Sequence, residues 1–437
     1  MSTISIFGLG YVGCVSAACF ASAGHRVLGV DVAQSKVDQI NAGRSTIVEE
    51  GIAELVASAV SSGKLSATTS VSAAVQASEI SLVCVGTPSR PNGSIDLAYV
   101  LRVAEQIGAA LRTKGRFHTV VIRSTVMPGT IDTHVIPAIE AASGLKHGGG
   151  FAVCSNPEFL REGTSIRDFH EPPFTLVGAL DVRHAEPVLA VYAGVTAPTH
   201  VVPLRVAETV KYACNCFHGL KVGFANEIGN LCKVMGVDSH EVMRLFCEDK
   251  KLNISTAYLR PGFAFGGSCL PKDLRALIYR MGGLDLKLPL LQSTLSSNRR
   301  HLERAIDAVL ELPAQRIGVI GLAFKENTDD LRESPVVTLL EQLIGKGRDV
   351  RVFDPQIQLE RIYGSNRNFV LQSIPHIGRL LRGLDEILGW ADRLVLAQKQ
   401  EEVTMQRIRH SGVPVLAVVD GTSRMAACAG AGSLAAR

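Results

Sequence analysis

The feature that most constrains this chain is the glycine-rich segment GLGYVG at residues 8–13, which follows the apolar run 4–7 and opens a helical pattern. Glycines in that context permit a tight strand-to-helix turn and let backbone N–H groups at the positive end of the helix approach a pyrophosphate. Asp31 closes the next apolar run, where a carboxylate can accept hydrogen bonds from ribose hydroxyls. The combination predicts a dinucleotide-binding α/β unit.

NAD is the cofactor that this pattern favours. An acid at the end of the second strand repels the 2′-phosphate of NADP, and no Arg directly follows Asp31. The alternative is a structural strand-turn-helix with an incidental acid. Lys36, one helical turn further on, either reaches the cofactor ribose or is an ordinary surface residue. Thr87 and Thr125 each follow an apolar run, so they are candidate cofactor contacts or ordinary turn residues.

Composition narrows the classes of function. A chain of 437 residues suggests about three domains, and 46% apolar with 20% charged residues is ordinary globular usage. A net charge of +4 gives no basic stripe for nucleic acid or an anionic membrane. No apolar run reaches the length of a membrane span. Ten scattered cysteines favour a reducing compartment, and we expect a cytoplasmic protein.

Strand and helix patterns alternate in two parts of the chain, separated by helical stretches that begin with a long one at 205–235. Strands separated by helices predict crossover units and parallel sheets. We therefore expect an α/β fold with two Rossmann-like doubly wound domains, at 1–204 and 309–437, joined by a central helical domain at 205–308. The predicted strands are 4–7, 26–30, 80–85, 119–123, 152–154 and 175–177 in the first part and 316–321, 349–353, 394–397 and 413–419 in the second.

One cysteine motif points to covalent chemistry. Cys269 follows two glycines and precedes Pro271, which suits the first turn of a helix. A helix N-terminus and the neighbouring Lys272 both favour the nucleophilic thiolate. The other nine cysteines are predicted to be small buried apolar residues. Cys214 and Cys216 have no set of Cys or His nearby to complete a zinc site, so no metal is predicted.

Further polar residues fall into three groups. Lys211, Asn215, His218 and Asn226 lie within an arc of roughly 80° on the predicted long helix, as either a binding stripe or a solvated face. Two carboxylates stand four apart in the segment NPEFLREG at 156–163, a spacing suited to general-base work or simply to surface acids. The turn GVIGLAFK at 318–325 either holds a phosphate or is a degenerate repeat of the first turn.

Five motifs together resemble the nucleotide-sugar 6-dehydrogenases in order and spacing: GLGYVG at 8–13, STV at 124–126, NPEFLREG at 156–163, GGSCLPKD at 266–273 and FK at 324–325. The resemblance implies a double oxidation of a sugar C6 alcohol to a carboxylate with two NAD. Cys269 would carry a thiohemiacetal and then a thioester. The segments at 215–218, 224–230 and 260–265 are most similar to members that oxidise GDP-mannose, which supplies alginate-type polysaccharides; UDP-glucose is the alternative substrate.

The resemblance also implies roles for individual residues. Lys211 and Asn215 would stabilise an oxyanion, Glu158 would act as base for water, and Asp273 would orient that water or Lys211. The catalytic set implied is Cys269, Lys211, Asn215, Asp273, Glu158 and Thr125. The cofactor set is Gly8, Gly10, Tyr11, Val12, Gly13, Asp31, Lys36, Thr87, Thr125, Lys272 and Arg332. The nucleotide-sugar set is Glu162, Lys211, Asn215, His218, Asn226, Tyr258, Arg260, Phe263, Gly266 and Lys325.

Two departures and two other functions stay open at this point. Ala257 stands where the GDP-mannose members have an aromatic residue, and the chain after residue 419 departs from the family pattern. Family members pair through their central helices, so a homodimer or higher homo-oligomer is expected, with Arg260 reaching the neighbouring subunit's site. The alternatives are a two-electron hydroxyacid dehydrogenase that shares only the first domain, and a non-catalytic protein that senses nucleotides.

Overall fold

The computed structural model of the chain describes residues 1–92, 94–255, 262–267, 270–323, 331–357, 368, 371–372, 374–418 and 425–426. The side chains of 219, 222–223, 272–273, 276–277, 280 and 425–426 fall outside that description. The chain divides into two compact units, Met1–Gly219 and Leu220–Arg437. The three domain boundaries predicted from the sequence stay predictions.

The core of the first unit is a sheet with the strands β1 (Thr3–Phe7), β2 (Arg26–Val30), β3 (Leu65–Thr68), β4 (Ile80–Val83), β5 (His118–Ile122), β6 (Phe151–Ser155), β7 (Thr175–Ala179) and β8 (Thr199–Pro203). Across the sheet they lie in the order β3-β2-β1-β4-β5-β6-β7-β8. The central strands β4, β5 and β6 are buried at every residue, as expected for a sheet covered on both faces. Strands β1 to β6 pair with one another only in parallel.

Helices connect these strands, as the sequence predicts. The helices of the first unit are α1 (Tyr11–Ser22), α2 (Gln34–Asn41), α3 (Ile52–Ser61), α4 (Val71–Ala77), α5 (Ala98–Leu111), α6 (Ile136–Ser143), α7 (Ser165–His170) and α8 (Glu186–Val191). A π-helical turn (Ile131–Val135) precedes α6, and a 3-10 turn (Val182–Ala185) precedes α8.

The first sheet departs from the predicted parallel arrangement at one place. Strand β7 meets β6 in the antiparallel sense, through Ser155 and Gly178, and β8 then pairs with β7 in parallel. The connection from β6 to β7 contains the six-residue helix α7. Strands β7 and β8 therefore form a two-stranded extension of the six-stranded parallel sheet.

The second unit holds a second sheet and further helices. Helix α9 (Leu204–Met235) spans the division between the units, and α10 (Ser239–Glu248), α11 (Leu270–Gly282) and α12 (Pro289–Leu310) follow it. The elements that follow are β9 (Arg316–Ile320), α13 (Pro335–Gly345), β10 (Asp349–Phe353), α14 (Ile377–Leu380), α15 (Leu384–Leu388), β11 (Arg393–Leu396), α16 (Glu402–Ser411), β12 (Val415–Ala417) and β13 (Met425–Ala426). The strands of this sheet lie in the order β10-β9-β11-β12-β13.

The predicted α/β class, with a sheet domain on either side of a helical region, is confirmed. Strands β3 and β8 were not predicted, because both are edge strands with exposed polar residues rather than apolar runs. Within the described residues, no helix combines the length and the apolar character needed to cross a membrane.

The prediction for the cysteines is confirmed for some positions and wrong for others. The side chains of Cys14, Cys19, Cys84, Cys154 and Cys232 are buried. Cys216 on α9 and Cys247 on α10 are exposed, Cys214 is half-buried, and Cys428 lies outside the described residues. Both exposed thiols lie on helices whose outer faces are not covered by the described part of this chain.

A buried polar chain crosses the amino-terminal end of the first sheet. Ser5 Oγ lies 2.7 Å from Ser81 Oγ, which in turn lies 2.7 Å from Nε2 of the fully buried His118. Burial, together with the nearby charges of Lys114 and Arg116, lowers the pKa of His118 to about 3. The native protein therefore holds His118 neutral.

We expect the first unit to lose stability in acid because of His118. Its pKa in the folded chain lies below the ordinary value of 6.5, so its stabilising contribution is complete above pH 6.5 and is lost as the pH falls toward 3. One such group adds up to about 1.4 kcal/mol per pH unit to the slope of the unfolding free energy. Urea unfolding at several pH values should show that the unfolding free energy of His118→Gln depends less steeply on pH than that of the unmodified protein.

The exposed His134 provides the matched control. The variant His134→Gln should keep the pH dependence of the unmodified protein. If the unfolding free energies of His118→Gln and the unmodified chain depend equally on pH, His118 is not the source of the loss of stability in acid.

Candidate active site

The glycine-rich turn after β1 has the shape that the sequence predicts. Gly8 has a φ of +94°, and its amide donates to Val30 O at 2.8 Å. A Cβ added to Gly13 would lie 1.7 Å from Gly8 O, so helix α1 packs directly on the turn. A Cβ added to Gly10, by contrast, would meet nothing within 4 Å. Gly10 precedes α1, and among the described side chains none caps that helix, so its first N–H groups are open to a ligand.

Asp31 holds this turn in place. Its buried carboxylate accepts hydrogen bonds from Leu9 N at 2.8 Å and Ala33 N at 3.0 Å. Lys36 Nζ lies 3.3 Å from the same carboxylate, with two fifths of its side chain exposed. The structure thus places two predicted cofactor residues in contact at the end of β2. Their roles toward a cofactor stay predictions.

The loops after β4 and β5 are tied to each other. The Thr87 hydroxyl donates to Thr125 O at 2.9 Å, and the Ser124 hydroxyl donates to Val85 O at 2.6 Å. Because β4 and β5 are neighbours in a parallel sheet, the two predicted threonines lie side by side at its carboxyl edge. Glu208 of α9, which sequence reasoning missed, accepts from the amides of Gly129 and Ile131 at 2.6 and 3.0 Å and fixes the same region.

The loop after β6 carries a buried ion pair. Lys211 Nζ lies 2.9 Å from Glu158 Oε1, with only 9% and 12% of the two side chains exposed. Glu158 also accepts from Leu160 N at 2.7 Å, and Lys211 stands 5.4 Å from the centroid of the Phe159 ring. Two predicted catalytic residues, 53 positions apart in the chain, are therefore in direct contact.

Close packing at Gly178 brings α9 to this loop. A Cβ added there would lie 2.7 Å from Ala207 Cβ and 3.1 Å from both Leu204 Cα and Ser155 Cβ. The start of α9 can approach the end of β6 only because residue 178 has no side chain. Lys211, one turn after Ala207, then reaches Glu158.

The buried Arg123 also holds the loop after β6 in place. Sequence reasoning did not single it out. Its NH1 donates to Asn156 Oδ1 at 2.7 Å and to Tyr192 OH at 2.8 Å, and Tyr192 OH donates to Asn156 Oδ1 at 2.6 Å. Burial acts to lower the pKa of Arg123, but Tyr192, Cys84 and Glu158 nearby raise it. The guanidinium of Arg123 therefore stays charged, close to Glu158. A cavity of about 30 Å³, the space of one or two waters, lies among these side chains.

The segment that precedes Cys269 is clamped within the second unit. Asn298 of α12 donates to Phe265 O and accepts from Phe265 N, each at 2.9 Å. His301 Nε2 lies 2.8 Å from Gly262 O. A Cβ added to Gly266 would lie 2.3 Å from Glu333 O, so this glycine is required for packing. No sequence pattern had marked Asn298, His301 or Glu333.

The second sheet repeats the turn of the first. Gly321 has a φ of +93°, and its amide donates to Phe353 O at 2.8 Å. Asp354, at the end of β10, accepts from Leu322 N at 2.7 Å, as Asp31 accepts from Leu9 N. The repeat of the first turn is therefore observed, whereas a role of this turn in phosphate binding stays a prediction, with Lys325 outside the described residues.

The remaining predicted residues are dispersed or lie outside the described residues. Asn215, His218 and Asn226 are exposed on α9. Phe263 packs against the apolar core of the second sheet, and Arg332 is half-buried just before Glu333. Glu162 is exposed in the loop that follows Glu158. Tyr258, Arg260, Cys269 and Lys325, together with the side chains of Lys272 and Asp273, lie outside the described residues.

Three family models match consecutive parts of the chain. They describe the NAD binding domain, the central domain and the UDP binding domain of the UDP-glucose/GDP-mannose dehydrogenase family, at residues 2–196, 205–300 and 318–422. The chain is 49% identical over 399 residues to a GDP-mannose 6-dehydrogenase of Pseudomonas aeruginosa, covering 91% of this chain and 92% of that one.

Two further comparisons agree with these matches. A UDP-glucose 6-dehydrogenase of Haloferax volcanii is 39% identical over 360 residues, which is 80% of this chain and 83% of that one. A crystal structure of a ternary complex of GDP-mannose dehydrogenase from Pseudomonas aeruginosa superposes with a TM-score of 0.92 at 47% identity. That match covers 96% of this chain and 97% of the other.

Removal of the Lys211 ammonium should destabilise the first unit strongly. Lys211→Met leaves the Glu158 carboxylate buried without the ammonium group that contacts it, which costs about 3–5 kcal/mol of unfolding free energy. Urea unfolding measures this change, and Lys211→Met combined with Glu158→Gln should recover part of it. Lys146 forms an ion pair with Glu140 but is 84% exposed, so Lys146→Met should cost less than about 1 kcal/mol. Equal effects of the two Lys→Met changes would contradict this assignment.

Asp31 should set the preference for NAD over NADP. Asp31→Asn removes the charge that repels a 2′-phosphate and weakens acceptance from the ribose hydroxyls. We expect NADH affinity to fall about tenfold and the ratio of NADH to NADPH affinity to fall further. Fluorescence titration with each reduced cofactor measures both. The exposed Asp38 provides the control, since Asp38→Asn should leave the ratio unchanged. An unchanged ratio in Asp31→Asn would contradict the role of its charge.

Proposed function

The chain belongs to the UDP-glucose/GDP-mannose dehydrogenase family, and from this premise we propose that it oxidises the C6 hydroxyl of GDP-mannose to the carboxylate of GDP-mannuronate with two NAD. The relatives named for GDP-mannose are 48–49% identical to it, against 39% for one named for UDP-glucose. UDP-glucose is therefore the second candidate substrate. Matches along all three parts of the chain disfavour a hydroxyacid dehydrogenase that shares the first domain alone.

One observation in the first unit carries the proposal. The turns after the adjacent strands β1, β4, β5 and β6 hold, in spatial order, the open glycine turn, Thr87, Thr125 and Glu158, and Glu158 contacts Lys211 of α9. Ligands of open α/β sheets bind outside the carboxyl ends of the strands. A cofactor bound along this edge would end beside a buried carboxylate and a buried ammonium group. Alcohol oxidation and thioester hydrolysis need groups of these kinds.

The residues of the first turn fit NAD. The open space at Gly10 and Gly86 admits a pyrophosphate, and the free N–H groups at the start of α1 suit its charge. Asp31 would hold the adenosine ribose, with Lys36, Thr87 and Thr125 as further contacts. When bound, NAD supplies the hydride acceptor for each oxidation.

The residues of this chain would act as follows. Lys211 and Asn215 stabilise negative charge on the C6 oxygen when the alcohol loses its proton. The Cys269 thiolate adds to the C6 aldehyde and forms a carbon–sulfur bond, which retains the aldehyde between the two oxidations. The second oxidation converts this thiohemiacetal to a thioester.

Hydrolysis then completes the reaction. Glu158 takes a proton from water, the water oxygen adds to the thioester carbon, and the carbon–sulfur bond breaks to return the thiolate. Two hydrides leave the sugar for two NAD, which balances the four electrons lost between alcohol and carboxylate. Glu162, His218, Asn226, Tyr258, Arg260, Phe263, Gly266 and Lys325 would bind the nucleotide sugar, with Asp273 orienting the water or Lys211 and with Lys272 and Arg332 on the cofactor.

A homodimer formed through the central helices is part of the proposal. No residue of α10 is buried, although Leu245 on it is apolar and 52% exposed. Leu220 and Met235 of α9 are about half exposed as well. We propose that a second copy of the chain covers these exposed apolar side chains. Sedimentation velocity tests this, and a monomer at micromolar concentration would contradict it.

We further place the reaction in the cytoplasm, with GDP-mannuronate feeding an alginate-type polysaccharide. Ten cysteines in 437 residues suit a reducing compartment. Cell fractionation tests the location. Loss of the uronate polymer on deletion of the gene tests the pathway, and an unchanged polymer would contradict it.

The stoichiometry of NADH tests the reaction directly. We expect GDP-mannose to yield two NADH per sugar and a carboxylate product, with UDP-glucose a poor substrate. Cys269→Ser should abolish net turnover, because a serine hydroxyl is not ionised at neutral pH and an ester is a poorer acyl intermediate than a thioester. Absorbance at the NADH band and mass spectrometry of the product measure these outcomes.

Cys247 offers the matched control, since it is an exposed cysteine on α10. Cys247→Ser should keep the turnover of the unmodified protein. One NADH per sugar, or full activity in Cys269→Ser, would refute the thioester route. Faster turnover with UDP-glucose would transfer the assignment to that substrate.

A further inference from the structure

Glu49, a residue that the proposed mechanism does not use, joins three separate segments of the first unit. Its Oε2 accepts hydrogen bonds from Tyr11 OH at 2.6 Å and from Gly163 N at 2.8 Å. Its Oε1 accepts from Ser165 N at 2.8 Å. Tyr11 is the first residue of α1, whereas residues 163 and 165 are more than 110 positions away, where the loop after β6 enters α7.

The chemistry of these contacts requires a carboxylate at position 49. Three donors converge on two oxygens, and an ionised carboxylate accepts such a set more strongly than an amide does. Partial burial acts to raise the pKa of Glu49, but the hydrogen bonds from Tyr11 and the two amides lower it to about 2. Burial and the same contact raise the pKa of Tyr11 to about 12. Glu49 therefore stays charged and Tyr11 stays a donor across the physiological pH range.

The segment that carries Glu49 is itself attached to the glycine-rich turn. The Thr46 hydroxyl donates to Leu9 O at 2.8 Å, and Leu9 N donates to Asp31 at 2.8 Å. Glu49 is thus held both to the turn and to the first residue of the helix that follows it. A rearrangement of the turn on cofactor binding would reach Glu49 through these bonds.

Glu49 also holds the loop that contains Glu162, through its hydrogen bonds with the amides of residues 163 and 165. Glu158 fixes the start of that loop by its contacts with Lys211 and Leu160 N. Arg161 pairs with Asp168 at 2.6 Å, on the α7 side. Glu162 lies exposed between these anchors and the amides of 163 and 165. Its location therefore depends on Glu49.

We propose that Glu49 is a positioning residue that couples cofactor binding at the start of α1 to nucleotide-sugar binding by the loop that carries Glu162. This inference rests on the proposed function, in which Glu162 contacts the sugar nucleotide. Coupling of this kind is reciprocal, so each ligand tightens the binding of the other by the same factor. Glu49 touches neither ligand and acts through Tyr11 and through the loop.

The test measures NADH affinity with and without saturating GDP-mannose, by fluorescence titration. Reduced cofactor and unoxidised sugar form a complex that cannot react, so the titration is independent of turnover. We expect GDP-mannose to tighten NADH binding by about fivefold or more in the unmodified protein. Glu49→Gln should reduce this factor to below about twofold. Its KM for GDP-mannose should rise about tenfold with kcat changed by less than about threefold, a split that general loss of folded protein would not produce.

Glu50 gives the matched control, because it is an exposed glutamate one position along the chain. Glu50→Gln makes the same change of charge and should keep the full coupling factor. Tyr11→Phe removes only the contact at the cofactor end and should also lower the factor, which keeps the test valid if Glu49→Gln fails to fold.

The outcomes separate the two proposals. If the unmodified protein does not reduce NAD with GDP-mannose, the proposed function fails. If it turns over normally but shows no coupling, or if either Glu49→Gln or Tyr11→Phe keeps the full coupling factor, the role of Glu49 is overturned. A loss of coupling in Glu50→Gln equal to that in Glu49→Gln would also overturn it, since charge alone would then explain the effect.

Discussion

Both sheet domains depend on a carboxylate that holds the turn after their first strand. Asp31 and Asp354 each accept the amide of the residue that follows a glycine in the left-handed region. An amide in such a tight turn has no partner in the regular sheet, and the carboxylate supplies one. In the first domain this turn leads directly into α1, whose first amides are left for a ligand. The pyrophosphate site proposed there is a consequence of this contact.

A second constraint is the placement of buried charge around the loop after β6. Lys211, Glu158 and Arg123 are all nine-tenths buried or nearly so, and each has hydrogen-bond partners of fixed position. Buried charges without partners are costly, so these groups are held in one arrangement. Such rigidity suits catalysis, because preorganised charge does not have to reorient when the substrate ionises.

The sequence predicts best what local patterns determine. The glycine turn, Asp31, the apolar central strands and the long helix α9 all have signals within a few residues, and each is found where predicted. Glu49 and Arg123 gave no such signal, because their partners lie far away in the chain. The contact between Lys211 and Glu158 was also not predictable, although both residues were singled out. It depends on Gly178 admitting the start of α9, which only a three-dimensional arrangement reveals.

Gly266 shows how one absent side chain links distant parts of the second unit. Its backbone lies against the carbonyl of Glu333, and Asn298 holds the adjoining residue from α12. The strip 262–267 is therefore held both to α12 and to the residues that lead into α13. A substitution at Asn298 would consequently loosen the strip, although it lies 33 positions from Phe265 in the chain.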